Sequence, residues 1–317
     1  MNDKKVKIFI DGSEGTTGLR IHERIAARDD IELLTIDPEK RKDPEERKKL
    51  INASDITFLC LPDAASIEAV ALAEENVRII DASTAHRTLP GWSYGFPELS
   101  PVFRENIKNG NRIAVPGCHA SGFIACVYPL VSSGILPADY PVSSFSLTGY
   151  SGGGKKMIAQ YEGEERSVLL DAPREYALSQ KHKHLKEMKA ITGLQSEPLF
   201  TPIVADYYSG MVVSVPLYTK LLSKSHTAES LHAFFEGYYK DSAFVTVAPF
   251  GAEAEDSGFL AGNKLSGWDG MKIYVTGNDE RIMVSAVFDN LGKGASGAAI
   301  QCFNIMTGAP ESYGLNL

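Results

Sequence analysis

Short apolar runs alternate with amphipathic stretches over the first eighty residues. Val6–Asp11 (VKIFID) is continuous and β-branched, as a parallel strand covered on both faces should be. Residues 19–30 place Leu19, Ile21, Ile25 and Ala26 at helical spacing. Residues 31–37 (IELLTID) and 55–61 (DITFLCL) predict two more strands, residues 66–76 a helix, and residues 77–83 (VRIIDAS) a fourth strand. The charged run 39–50 has mixed signs and reads as a solvated helix or loop. Repeated β-α-β units with short connections predict a Rossmann-type, doubly wound parallel sheet.

After residue 118 the texture changes. Residues 119–134 predict an apolar helix ending near Gly134. Residues 142–154, 198–222, 243–251 and 271–290 read as strands, with a helix at 227–241 among them. MVVSVPLY alternates, and Asn278-Asp279 marks a hairpin turn. The expectation is a second, α+β substrate and dimerisation domain with a mainly antiparallel sheet. Small residues at 292–308 predict a buried closing helix. The dinucleotide domain is expected over 1–117 with 289–317, and the catalytic and oligomerisation domain over 118–288.

A length of 317 residues supports two domains without staples, and 44% apolar content is that of an ordinary globular protein. A net charge of -8 argues against nucleic acid or an anionic membrane as partner. MNDKKVKIFIDG runs straight into a strand with no signal-peptide pattern, and no apolar run suggests a membrane span. The four cysteines show neither paired spacing nor a zinc pattern, so no metal is expected, and reduced thiols suit the cytoplasm.

Strand 1 runs into Gly12-Ser13-Glu14-Gly15-Thr16-Thr17-Gly18, a G-x-x-G-x-x-G loop between a strand and a helix. Glycine there permits a tight turn, approach of backbone to a pyrophosphate and close helix packing, and the helix start offers free N–H groups. Asp37 ends the second predicted strand, where an acid bonds a ribose 2'-hydroxyl of NAD. Lys40, Arg41 and Lys42 follow and could hold the 2'-phosphate of NADP, while Asp37 could simply open the turn at Pro38. The residues leave the choice of dinucleotide open.

Cys118 follows Pro116-Gly117 and precedes a predicted helix. Helix N–H groups stabilise a thiolate at that position, which makes it a candidate nucleophile; the alternative is a small buried hydrophobe. Cys60, Cys126 and Cys302 lie in apolar surroundings and read as packing residues. Candidate bases are His182 and His184 in the KHKH stretch. His119 is adjacent to the cysteine and expected to point away, His22, His226 and His232 to be surface or boundary residues, and His86 to reach the cleft. Ser151-Gly152-Gly153-Gly154-Lys155-Lys156 could form an anion nest or a flexible loop.

Taken together the motifs resemble the N-acetyl-γ-glutamyl-phosphate reductase family, within the aspartate-semialdehyde-dehydrogenase-like group, and its shorter subgroup. They are VKIFIDGSEGTTG, IIDASTAHR, YGFPEL, IAVPGC, SGGGKK, HKH and DNLGKGASGAAIQCFNIMTG, in order along nearly the whole chain. The chain departs from the family where His119-Ala120-Ser121 follow the cysteine in place of Tyr-Pro-Thr, and where Leu185-Lys186-Glu187 follow HKH in place of the usual Pro-Glu pattern. The resemblance implies an NADPH-dependent reductase of an acyl phosphate in arginine biosynthesis, working as a homo-oligomer, dimer or tetramer. It implies Cys118 as nucleophile and His182 as acid/base. Arg87, Glu98, Ser151 and His184 would meet the substrate. The Gly12–Gly18 loop, Asp37, Gly152, Gly153 and Asn290 would meet the cofactor. The rival readings are a sister aspartate-semialdehyde dehydrogenase, a cysteine-histidine acyl hydrolase without cofactor, and a non-catalytic dinucleotide sensor.

Overall fold

The computed structural model describes residues 5–317; residues 1–4, which the sequence reading places in the first domain, lie outside the described residues. The chain forms two compact units. One takes the chain to Pro116 and adds Ala295–Leu315; the other comprises Gly117–Gly294 with Asn316–Leu317. Gly117 and residues 289–294 fall in the second unit, where the Asn290 side chain is tied to Ser151 and Gly210.

In chain order the first unit contains β1 (Val6–Asp11), α1 (Thr16–Ala26), β2 (Ile31–Leu34), α2 (Pro44–Ala53), β3 (Ile56–Leu59), α3 (Asp63–Leu72), β4 (Arg78–Asp81), β5 (Ser93–Tyr94), α4 (Pro101–Asn109) and β6 (Arg112–Ala114). The strands form one parallel sheet in the order β2-β1-β3-β4-β6-β5. This is the Rossmann-type sheet the pattern predicts, with two further short strands. β5 and β6 carry two and three residues, too few for a period to show.

Local chemistry sets the boundaries. Asp43 caps α2 by accepting from the Glu45 N–H, with Pro44 at the first helical position. The charged run 39–50 is read as a solvated helix or loop; it supplies most of α2, and within it Arg47 turns inward, as does Ile51 just past the run. Arg47 Nη2 meets the Asp11 carboxylate at 2.9 Å, and burial nevertheless raises the Asp11 carboxyl above the ordinary range. The predicted second strand stops at Leu34. Asp37 lies beyond it, accepting the Glu39 N–H at 2.9 Å as the cap of a 3-10 turn.

The second unit contains α5 (Cys118–Ser132), β7 (Ser143–Gly149), α6 (Gly154–Glu162), β8 (Arg174–Glu175), α7 (Leu185–Thr192), β9 (Leu199–Ala205), β10 (Met211–Tyr218), α8 (Ala228–Tyr239), β11 (Val245–Val247), β12 (Met271–Gly277) and β13 (Arg281–Phe288). Its sheet runs β11-β12-β13-β10-β7-β9-β8, mostly antiparallel, with β7/β9 and β11/β12 parallel. α5 is buried on nearly every side. Gly122 lets it lie on the sheet, since a Cβ there would come within 2.6 Å of Val213 and 2.8 Å of Phe288. The glycine run 152–154 leads directly into α6 instead of a flexible loop. His232, expected near the surface, is buried, and its Nε2 is 2.7 Å from the Ala248 carbonyl.

A last helix, α9 (Gly297–Thr307), belongs to the first unit. Ala298, Ala299, Ile300, Cys302 and Phe303 pack with Ile8, Ile10, Phe58 and Ile80 of the parallel sheet.

Candidate active site

The glycine loop separates fold requirements from ligand requirements. Gly12 has φ +87°, and a Cβ there would meet the Cys60 carbonyl oxygen at 2.5 Å. A Cβ at Gly18 would meet the Gly12 carbonyl at 2.3 Å. At Gly15 the nearest atom would be 3.6 Å away, an ordinary contact, and φ is −68°. The fold therefore demands Gly12 and Gly18 but would accommodate a side chain at Gly15. Gly15 caps α1 without a side-chain hydrogen bond, and the first turn holds no acidic residue. That cradle of open N–H groups fits a pyrophosphate. A cavity of about 170 Å³ beside it is lined in part by Ser13, Glu14, Leu34, Thr35, Pro38 and Arg41. Arg41 reaches Glu14 at 2.5 Å.

The steric contrast gives an expected result. Gly15→Ala keeps its melting temperature but binds the dinucleotide at least about tenfold more weakly, because the methyl group occupies the pyrophosphate approach. Gly18→Ala instead loses on the order of 1–3 kcal/mol of stability through overpacking. Thermal melting and fluorescence titration of both variants check this; equal affinity in Gly15→Ala would contradict it.

Cys118 is the first residue of α5, and its cap, Gly117, offers no side chain to the first turn. The Gly117 N–H donates to Glu187 Oε2 at 3.2 Å. Glu187 is buried on α7, and its Oε1 lies 4.0 Å from His184 Nε2. The imidazole rings of His182 and His184 have centroids 4.6 Å apart in an edge-on arrangement. His182 Nδ1 accepts the His184 N–H at 3.2 Å, leaving Nε2 as its outer nitrogen. His182 is half-buried, whereas His184 is buried.

His119 does not point away. Its ring lies 5.4 Å from that of His182 and 5.6 Å from that of His184. Nδ1 is 2.5 Å from Ser146 Oγ and Nε2 is 2.6 Å from the Tyr176 hydroxyl. Burial, aided by His182 and Lys183, pushes its pKa down to about 3, so this imidazole is neutral. Burial, with Asp81 and Asp11 adding to it, pushes the Cys60 thiol up to about 12. Burial raises Cys126 as well, and Cys302 is fully buried with its thiol on the Gly95 carbonyl.

Residues 7–109 match the semialdehyde dehydrogenase NAD binding domain, and residues 118–290 match the semialdehyde dehydrogenase dimerisation domain. An N-acetyl-gamma-glutamyl-phosphate reductase 2 of Nostoc sp. is 47% identical, over 98% of this chain and 99% of its own. A second, from Pseudomonas putida, is 43% identical over 97% and 98%. The chain belongs to the N-acetyl-gamma-glutamyl-phosphate reductase family. Aspartate semialdehyde dehydrogenase II of Vibrio cholerae, solved in complex with ASA, has a TM-score of 0.72 at 15% identity, covering 96% of this chain and 98% of that one. The Candida albicans aspartate semialdehyde dehydrogenase solved with NADP gives 0.63 at 15% identity, covering 96% and 99%. These two share the fold.

The reductase places the remaining sequence candidates as follows. Arg87 is buried, donating from Nε to the Val115 carbonyl at 2.8 Å and from Nη2 to the Ala82 carbonyl at 3.2 Å. Glu98 accepts from Gln301 Nε2 at 2.6 Å. Asn290 donates to Ser151 Oγ at 3.0 Å and accepts the Gly210 N–H at 2.7 Å, so these two candidates hold each other. Gly152 and Gly153 lie in the 3-10 turn Tyr150–Gly153. His86 turns inward, with Nδ1 2.6 Å from Asp81 and its ring stacked on Trp92. Sequence reading of the reductase gave no role to Ser146, Tyr176 or Glu187. Ser146 and Tyr176 lie 27 and 57 residues from His119, so no local spacing pointed to them. Glu187, three residues after His184, was readable as a helical neighbour. Among the described residues no cluster of histidine, cysteine and carboxylate could hold a metal, and no helix is long and apolar enough to cross a membrane.

Proposed function

We propose that this enzyme reduces N-acetyl-γ-glutamyl phosphate to N-acetylglutamate semialdehyde, with release of phosphate, in arginine biosynthesis. The observation that carries the reading is 47% identity to a reductase of that name over 98% of the chain. The first unit binds the nicotinamide dinucleotide, and the second carries catalysis and self-association into a homo-oligomer, dimer or tetramer. The site of action is the cytoplasm.

The chemistry follows from the side chains. His182 takes the Cys118 thiol proton at Nε2. The thiolate attacks the acyl carbon, a C–S bond forms, and the C–O bond to phosphate breaks with its electron pair on the leaving phosphate. The dinucleotide, when bound, supplies the hydride that reduces the resulting thioester. The thiohemiacetal on Cys118 then collapses: the carbonyl re-forms, the C–S bond breaks, and sulfur leaves as thiolate. His182 shuttles the proton of the thiohemiacetal oxygen. His184, facing the Glu187 carboxylate at 4.0 Å, orients the pair and contacts substrate. Arg87, Glu98 and Ser151 are the substrate contacts; Gly152, Gly153 and Asn290 serve the nicotinamide end.

NADPH is the preferred dinucleotide. Asp37 spends a carboxylate oxygen on the Glu39 N–H, and Arg41, which lines the cavity beside the loop, would exchange its Glu14 partner for the 2'-phosphate. The test is steady-state reduction of N-acetylglutamyl phosphate with NADPH and with NADH, with aspartyl phosphate as the competing substrate. Turnover with the first substrate and a higher kcat/KM for NADPH are expected. Preference for aspartyl phosphate would transfer the enzyme to the sister activity.

A further inference from the structure

The chain leaves β13 through Asp289-Asn290 and then makes one turn of π-helix, Gly292–Ser296, before α9. Such turns are rare and collect at functional sites. Within the second unit this one is pinned residue by residue. Asp289 is fully buried; its Oδ1 accepts the Leu291 N–H at 2.8 Å, and its Oδ2 accepts the Gly267 N–H. At Gly292 a Cβ would come within 2.6 Å of the Trp268 carbonyl oxygen, so the backbone there lies directly on a neighbouring segment. Lys293 is buried, with its ammonium 5.4 Å from the centre of the Phe244 ring. The Gly294 N–H donates to the Asp289 carbonyl at 3.1 Å.

Gly294 is thereby set against Cys118. A Cβ added at Gly294 would come within 2.9 Å of Cys118 Cβ, and within 3.2 Å of both the Asp289 carbonyl oxygen and Phe288 Cε2. The φ of Gly294 is not positive, so its backbone would accept any residue, and crowding alone demands glycine. Cys118 is the first residue of α5. Inside a helix the preceding turn closes one of the three χ1 wells to most side chains. The first residue has no preceding turn, so its own helix leaves all three wells open. The Gly294 backbone supplies a wall in its place. A sulfur rotated to that side of Cβ has no room, since even a methyl group on Gly294 would not fit there.

We propose that Gly294 is a positioning residue for the Cys118 nucleophile. Its backbone closes the χ1 well on its side, and the sulfur is held in the wells that face away from it. The attacking atom is thus aimed before substrate arrives, with no bond to sulfur needed. Gly292, two residues earlier, is equally crowded, but a Cβ there would meet Trp268, Asp269 and Asp289 instead of Cys118. It is the natural comparison, because the same turn is strained while the nucleophile is not touched. The proposal rests on Cys118 being the nucleophile.

The test compares Gly294→Ala with Gly292→Ala in steady-state reduction of N-acetylglutamyl phosphate, on full-length protein whose melting curve shows it folded. Both variants should melt earlier through overpacking. Gly294→Ala should lose about 10- to 100-fold in kcat with KM within about twofold of native, the cost of misplacing an attacking atom by about 1 Å. Gly292→Ala should keep kcat within about threefold. The limiting high-pH rate of Cys118 alkylation by iodoacetamide, followed on its peptide without substrate or cofactor, should fall at least about fivefold in Gly294→Ala alone. A native kcat or a native alkylation rate in Gly294→Ala overturns the proposal, as do equal losses of kcat in the two variants. Should Gly294→Ala fail to fold, a crystal structure of the native enzyme carries the test. The sulfur should face away from Gly294 in every conformer of Cys118, and a conformer turned toward Gly294 overturns the proposal. If the native enzyme does not reduce N-acetylglutamyl phosphate, the proposed substrate falls, while the alkylation rates and the crystal structure still decide on Gly294. An active Cys118→Ser variant would sink the nucleophile reading on its own.

Discussion

Cys118→Ser is expected to lose acyl-phosphate reduction by roughly 10⁴-fold or more while the protein stays folded. A serine hydroxyl at neutral pH is a far weaker nucleophile than a thiolate, and replacing sulfur with oxygen changes little volume at the start of α5. Dinucleotide affinity should hold, because Gly12, Gly15 and Gly18 belong to the other compact unit. Cysteine-specific alkylation should disappear with the residue. The competing thiols are poor substitutes: Cys60 is pushed up to about 12, and Cys126 and Cys302 are fully buried. Turnover of the serine variant at more than a small fraction of the native rate would remove Cys118 from the reaction.

His182→Asn should cost about 10²–10⁴-fold in kcat/KM, the range for a positioned acid/base group. Asparagine can still accept the His184 N–H that His182 Nδ1 accepts at 3.2 Å, so the local turn survives while the outer nitrogen is lost. The matching His184→Asn variant should lose less activity and more stability, since His184 is buried and faces Glu187 at 4.0 Å. A reversed pattern, with His184→Asn inactive and His182→Asn nearly native, would exchange the two roles. The measurement is kcat/KM against pH for both variants, alongside their melting temperatures.

Much of the first unit was legible because its strands are dense apolar runs. VKIFID and ITFL each bury most or all of their residues, and such runs between helical patterns leave few alternatives to a parallel sheet. β5 and β6 were not legible: with two and three residues, they exist through pairing with neighbours. The charged α2 was read as a solvated face because local sequence does not show that Arg47 has a carboxylate to meet at Asp11, 36 residues earlier. In the second unit, Cys118 was legible from the Pro-Gly turn before it and the apolar helix after it. His119 was not. Its partners come from β7 and from the loop after β8, and no rule of spacing joins positions 119, 146 and 176. The rule applied to it, that side chains on neighbouring residues diverge, fails here because a helix turns only about 100° per residue, which leaves room for both at one end of α5.

α9 has a bearing on how the polypeptide is made. Its residues cover Ile8, Ile10, Phe58 and Ile80, which leave the ribosome more than two hundred residues earlier. During synthesis the parallel sheet must wait for that cover, while nearly all of the antiparallel unit has already been delivered. The unit that begins first thus closes only near the end of synthesis, and a stalled chain ending before Ala295 would carry a bare apolar sheet face of the kind chaperones recognise.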